Sequence, residues 1–434
     1  MFDGFLSIEL TTGVFPVVLD VLGLIALAAV FAIAPTRVGL VRRLIAAASG
    51  LVVGLIVCWL ISDVFDVFGI VLTLPIRLWF SGTVAAIAVA IVTLISVRRW
   101  VRAVPIVGIL IFAMVGAIGI NADIGEFPTL GAALGIESYS AQPLPSPVAT
   151  PTRLTDAQVL AAWRPPANLP AAGRVNSVAI PGTISGFHAR NALVYLPPAA
   201  VVAHPPRLPV LMMMSGQPGS PSTVVTAGQI EKTFDAYARV HRGISPIVVI
   251  PDQLAHPLVN PMCVDSSLGN SATYLTVDVP RWIRSNLNVM TDRTTWAIGG
   301  FSQGGTCAIQ LGAGYPQLFG SILDISGELK PGHGNPAQSI RKGFGGSASA
   351  YEKSWPANVL SARAPYGDTL AIFAAGANDS RYDSYATTLA ADARSAGMSV
   401  QLLVSPGTAH DWHTVNYAFV TALPFLGRRM GIVD

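Results

Sequence analysis

Over the first 130 residues, long uncharged apolar runs are separated by short charged clusters. Beyond residue 175, short apolar runs bounded by Gly, Pro or Asp alternate with mixed patterns of helical period. Four of the long runs, 14–33, 44–61, 81–97 and 104–120, approach the ~20 residues a helix needs to cross a hydrocarbon core, where backbone groups find no water. A cleaved signal peptide would be one shorter stretch behind basic residues, and no basic residue precedes Val14. The competing reading is buried helices of a soluble core. Composition argues against it: 52% of residues are hydrophobic and only 12% charged, against about one quarter charged in soluble domains.

The basic residues give an orientation. Arg37, Arg42 and Arg43 fall between spans one and two, and Arg98, Arg99 and Arg102 between spans three and four, whereas the intervening stretch has Arg77 beside Asp63 and Asp66. Short loops rich in Lys and Arg stay cytoplasmic, so the N-terminus and everything after about Asn121 are expected outside the cell. Residues 65–80, with Pro75 and Trp79, are expected as an interfacial segment on the outer surface. Asp20, near the outer end of span one, reads as an acid solvated at the interface or as a functional group.

Seven prolines between 143 and 170 mark a semi-extended stretch with one short helix at 155–163. The division expected is a four-helix transmembrane region at 1–125, a Pro-rich linker at 126–174 and an extracytoplasmic domain at 175–434. In the last of these, strands are expected at 175–180, 192–196, 209–214, 246–250, 295–298, 321–325, 369–374 and 399–404. Helical patterns lie between them at 229–240, 274–287, 306–313, 382–396 and 414–429. Strands buried on both faces and alternating with helices predict an α/β fold with a mostly parallel sheet, preceded by the all-α four-span region. Chemistry in such sheets gathers at the carboxyl ends of the strands. A net charge of +3 leaves no electrostatic footprint for nucleic acid.

One strand-to-helix junction reads Gly299-Gly300-Phe301-Ser302-Gln303-Gly304-Gly305. Gly300, Ser302 and Gly304 match G-x-S-x-G, a turn that lifts a hydroxyl above the sheet while the glycines let strand and helix approach. The bare motif is weak in a chain with 41 glycines, and a plain glycine turn is the competing reading; the flanking strand and helix sharpen it. An acid follows strand 369–374, in Ala377-Asn378-Asp379, and a histidine follows strand 399–404, in Gly407-Thr408-Ala409-His410. That order is Ser, acid, His: His410 would take the Ser302 proton and Asp379 would hold its tautomer. His413 remains the rival base and Asp383 the rival acid. Two backbone donors are needed for the oxyanion: Gln303 N–H, following the nucleophile, and Gln217 N–H, with Gly216 second, in the glycine loop Ser215–Ser220.

These segments, together with Val194-Tyr195-Leu196-Pro197-Pro198 and the closing Gly407-Thr408-Ala409-His410-Asp411-Trp412, resemble the putative-esterase (esterase-D-like) branch of the α/β-hydrolases, which includes the mycobacterial mycolyltransferases. The resemblance covers about residues 175 to 430. It implies an α/β-hydrolase fold and serine-dependent ester hydrolysis or acyl transfer, with Ser302, Asp379 and His410 as triad. The chain departs from the mycolyltransferases in carrying Asp where they carry Glu, and in its four-span region. An acyl ester, from an envelope lipid or another source, is the expected partner; no cofactor and no metal are expected.

Cys58 falls inside span two, as an apolar filler. Cys263 and Cys307 are the two in the outer domain, and an oxidising compartment would pair them as a disulfide; two separate buried thiols are the alternative. The segment 327–367 between two strands, rich in glycine, could form a mobile cover over the site. Two function classes follow: an esterase or acyltransferase acting outside the cell, or a catalytically silent hydrolase fold serving as a scaffold or sensor for the membrane part.

Overall fold

The computed structural model describes residues 2–33, 36–136, 139, 142–145 and 155–432. The chain divides into two compact units, residues 1–137 and 138–434.

The first unit contains α1 (Val14–Ala32), α2 (Arg37–Trp59, continued by a wider turn at Leu60–Val64), α3 (Leu74–Ser96) and α4 (Ala103–Ile124). Each lies in a helical stretch long and apolar enough to cross a membrane. Small residues set the packing of α2 on α3. A methyl group added at Gly50 would stand 2.7 Å from Ala85 Cα, and one at Gly54 would stand 2.6 Å from Ser81 Cα. Glycines spaced by four let two backbones meet, which is how apolar helices associate where water offers no driving force.

The helices extend past the apolar runs. Arg37, Arg42 and Arg43 belong to the first turns of α2, whose Thr36 side chain caps Gly39 N–H. Arg43 is buried, donating to Thr93 Oγ1 at 3.0 Å and to the Phe31 carbonyl at 2.9 Å. Of the segment 65–80, residues 65–73 form the non-helical connection between α2 and α3, while residues 74–80 are the first turns of α3, whose start Thr73 caps. Pro75 occupies the first turn, where a missing N–H costs nothing. Asp20 is exposed on α1.

The second unit is built on eight strands: β1 (Arg174–Val178), β2 (Ala192–Leu196), β3 (Val210–Met214), β4 (Ile247–Ile250), β5 (Trp296–Phe301), β6 (Ser321–Ile325), β7 (Leu370–Gly376) and β8 (Ser399–Ser405). Their order is β1-β2-β4-β3-β5-β6-β7-β8, with β2 antiparallel to both neighbours and the remaining pairs parallel. Every residue of β2 through β7 is buried, which is why these strands read as unbroken apolar runs rather than alternating ones.

Five principal helices cover the sheet: α5 (Ile230–Val240), α6 (Val279–Asn286), α7 (Gln303–Gly314), α8 (Ser380–Ser395) and α9 (Trp412–Arg429). On one face Met212, Ile298 and Phe373 pack with Ile283, Ile309 and Leu389 of α6, α7 and α8. On the other, Leu211, Leu323 and Ile372 pack with Phe234 and Phe419 of α5 and α9. This is a helix–sheet–helix sandwich with two apolar layers.

Three local differences from the sequence reading have physical causes. Strand β5 runs through Gly299 and Gly300, because its neighbours lie too close for side chains there. Helix α7 starts at Gln303 rather than three residues later, since Gly304 is packed against the Met214 and Ser215 backbone and Gly305 against Asp324 and the Ile325 carbonyl rather than turning. The 327–367 segment is folded into helices Pro336–Phe344, Ala348–Lys353 and Pro356–Arg363; Tyr351 Oη donates to the Pro331 carbonyl at 3.0 Å within it, and Gln310 Nε2 of α7 ties it to the scaffold through the Ser354 carbonyl at 2.7 Å. Within the expected linker, Leu160 is buried in the core of the second unit and Trp163 Nε1 donates to the Arg242 carbonyl at 3.1 Å.

Candidate active site

The carboxyl end of β5 turns into α7 through Ser302, whose φ of 56° and ψ of −117° are strained for a residue with a side chain. Close packing enforces the turn. A methyl group at Gly300 would lie 2.1 Å from the Gly304 carbonyl carbon and oxygen, and one at Gly304 would lie 2.5 Å from the Ser215 carbonyl oxygen. No β-carbon fits at either position, so the two glycines are what lets strand, helix and the loop after β3 converge under one hydroxyl.

His410 reaches that hydroxyl from the loop between β8 and α9, with Nε2 2.9 Å from Ser302 Oγ. Asp411 shapes the loop: its Oδ2 accepts Ala409 N–H at 2.6 Å and its Oδ1 accepts Thr414 N–H at 2.8 Å, capping α9. The ring is held between aromatic neighbours, with Phe301 at 4.9 Å and Tyr382 at 4.0 Å between centroids. Asp379, at the end of β7, is the N-cap of α8; Oδ1 accepts Tyr382 N–H at 3.2 Å. Its other oxygen stands 3.4 Å from His410 Nδ1, and neither atom has another hydrogen-bond partner among the described residues. That separation exceeds a formed hydrogen bond. Catalytic pairs are often long without substrate and tighten in its complex.

The rivals are separated by position. His413 is exposed on α9, and Asp383 lies a turn beyond Asp379 on α8, its N–H donating to the Asp379 carbonyl at 2.9 Å. The Ser215–Gly219 loop lies against the elbow: a methyl group on Gly216 would stand 3.4 Å from Ser302 Cβ. Gln303 opens α7, where first-turn N–H groups have no partner within the helix and the helix dipole is positive. Cys263 and Cys307 are joined in a disulfide, with Cα atoms 5.5 Å apart.

Sequence reasoning missed the groups that carry no motif. Gln253, Asn260 and the Gln303 side chain form a buried amide chain behind the elbow. Two further carboxyls lie near it. Asp324, on β6 opposite Gly300, is fully enclosed, and burial pushes its carboxyl up to about 7, with Glu328 adding to the push. Burial likewise raises Glu328 to about 7, opposed by a hydrogen bond from Thr306. Elsewhere, at the amino ends of the strands, a cleft of about 420 Å³ is lined by Asp156, Arg207, Asp292 and Arg429. Its charges are satisfied within the protein, as in Arg207 to Asp156 at 3.1 Å and Arg429 to Asp368 at 2.6 Å.

Comparison with known proteins bears on the family and the fold. The "Putative esterase" family model matches residues 188–414. An uncharacterised protein of Corynebacterium glutamicum is 34% identical over 322 residues, which cover 72% of this chain and 73% of that one. Among solved structures, a ferulic acid esterase superposes with a TM-score of 0.52 at 18% identity, over 61% of this chain and 100% of its own. An S-formylglutathione hydrolase of Agrobacterium tumefaciens gives 0.49 at 18% identity, over 61% and 98%. MPT51 of Mycobacterium tuberculosis gives 0.43 at 18%, over 60% and 99%. The chain belongs to the "Putative esterase" family of α/β-hydrolases and is a serine carboxylic-ester hydrolase or acyltransferase.

Proposed function

We propose that this is a membrane-integral enzyme whose catalytic unit faces the outside of the cell, where it cleaves or transfers an acyl ester, with an envelope lipid as the favoured substrate class. Ser302 acts as nucleophile, His410 as base and Asp379 as the group that orients it. The observation that carries the reading is the 2.9 Å contact of Ser302 Oγ with His410 Nε2, with Asp379 on the far side of the ring.

As Ser302 Oγ attacks the ester carbonyl, its proton passes to His410 Nε2. The resulting oxyanion takes the N–H groups of Gln303 and Gln217. Collapse expels the alcohol, which carries away the proton from His410, and leaves an acyl group on Ser302. Water or a second alcohol, deprotonated by His410, then releases it.

Membrane integration is supported by the four long apolar helices, and the outside placement by six Arg near the two inner turns against one near the outer. The disulfide fits an oxidising compartment. Steady-state hydrolysis of a short-chain ester by the full chain and by Ser302→Ala tests the mechanism. The substitution should cut turnover by several orders of magnitude, and unchanged turnover would refute the reading. Product analysis with long-chain donors and polyol acceptors separates hydrolysis from transfer.

A further inference from the structure

Three buried amides behind the elbow take part in none of the steps above. Gln253, just past β4, donates Nε2 to the Ser215 carbonyl at 2.7 Å and to Gln303 Oε1 at 2.9 Å. Gln303 Nε2 donates to Asn260 Oδ1 at 2.9 Å and to Cys307 Sγ at 3.1 Å. Asn260 Oδ1 also accepts Met262 N–H at 2.7 Å. Backbone groups fix the chain at both ends, because the Ser215 carbonyl can only accept and the Met262 N–H can only donate; each amide therefore has one permitted orientation. Gln253 is 0% exposed, Gln303 4% and Asn260 5%. In such surroundings hydrogen bonds are strong and an orphaned polar group is costly.

The chain joins the two segments that supply the oxyanion donors. Ser215 opens the loop that carries Gln217, and Gln303 carries the other donor on its own backbone. The far end of that loop is held as well: Arg190 donates to the Gly219 carbonyl at 2.9 Å while gripping Asp252 through two bonds of 2.9 and 2.8 Å. Consecutive residues at the end of β4, Asp252 and Gln253, thus hold both ends of the Ser215–Gly219 loop, and only Gln253 also reaches the residue after the nucleophile.

We infer that Gln253 is a positioning residue for acyl transfer, its single amide setting the spacing between the two oxyanion donors. The inference rests on the serine mechanism proposed above. Gln253 touches neither substrate nor reacting atoms; it acts through Ser215 and Gln303. A displaced donor is lost only in the transition state, where the oxygen becomes charged, so substrate binding should be spared.

The test uses the full chain in detergent with Gln253→Met, which keeps the length and removes the donor. For a short-chain ester, kcat should fall about 10- to 100-fold, somewhat less than for deleting a donor outright, with KM within about twofold. A boronic acid, whose tetrahedral adduct on Ser302 places an oxygen between the donors, should lose affinity in the same proportion. Gln303→Met cuts the same link from the other side and serves if the first variant does not fold; the double variant should be no worse than the poorer single. A fall in kcat with boronic acid affinity unchanged, or a loss that merely follows the folded fraction in a melt, would overturn the inference. A wild type that cleaves esters alongside an equally active Gln253→Met overturns this inference alone, whereas a wild type inert to esters and to a fluorophosphonate overturns the serine reading with it.

Discussion

Substituting Gly300 by Ala perturbs the elbow without touching a reacting group. The added methyl would meet the Gly304 carbonyl carbon and oxygen at 2.1 Å, whereas ordinary contact begins near 3.4 Å. Both obstructing atoms are backbone, so no side chain can swing aside. Relief requires strand and helix to part by roughly 1.3 Å at the residue pair that brackets Ser302. A misplacement of about 1 Å costs on the order of 100-fold in rate, so kcat should fall by about two orders of magnitude. Overpacking should cost about 1–3 kcal/mol of stability, which leaves the protein folded at 25 °C. The assay is turnover of a short-chain chromogenic ester beside a thermal melt. Gly332→Ala is the control, because a methyl group there has nothing within 4 Å. Activity within twofold of wild type in Gly300→Ala would refute the geometric account of the elbow.

Three further outcomes are expected. Replacing Cys307 with Ala should destabilise the second unit by about 4 kcal/mol, from opening a loop of 44 residues' separation; an equal melting temperature, or alkylation of both native thiols without reductant, would contradict it. Asp324 has a folded-state pKa raised above its unfolded value, so the folded chain keeps a proton that the unfolded chain loses near pH 4, and stability should decline as pH rises towards about 7. Asp324→Asn should flatten that decline in melts taken across the range, and an undiminished slope would count against it. In intact cells, an impermeant thiol reagent should label cysteines introduced at 141–173 and spare those at 37–43; the reverse pattern would overturn the outside placement.

The sheet was legible because its strands are buried on both faces, which produces apolar runs with clear ends. Ends made by glycine were not. Gly299 and Gly300 read as a stop, yet they continue β5, where Met213 and Leu323 press against Gly299 and the Gly304 backbone against Gly300. The spans were legible as apolar runs, while their true ends lie among arginines that stay helical, as Arg43 does by bonding Thr93 and the Phe31 carbonyl. Ser302, Asp379 and His410 could be picked out because each follows a strand in a fixed order. Gln253 and Asn260 could not: they lie in a loop without motif, and their role is defined only by the carbonyls and amides they meet across 38 to 72 residues of chain.

The central claim is that Ser302 carries the acyl group during the reaction. The most direct measurement is to treat the membrane-embedded full chain with a fluorophosphonate, digest it and locate the adduct by mass spectrometry. The account predicts one stoichiometric phosphonyl adduct on the peptide containing Ser302, absent from Ser302→Ala and slowed by substrate ester. An adduct on another residue, or none on a wild type that still turns over ester, would contradict it.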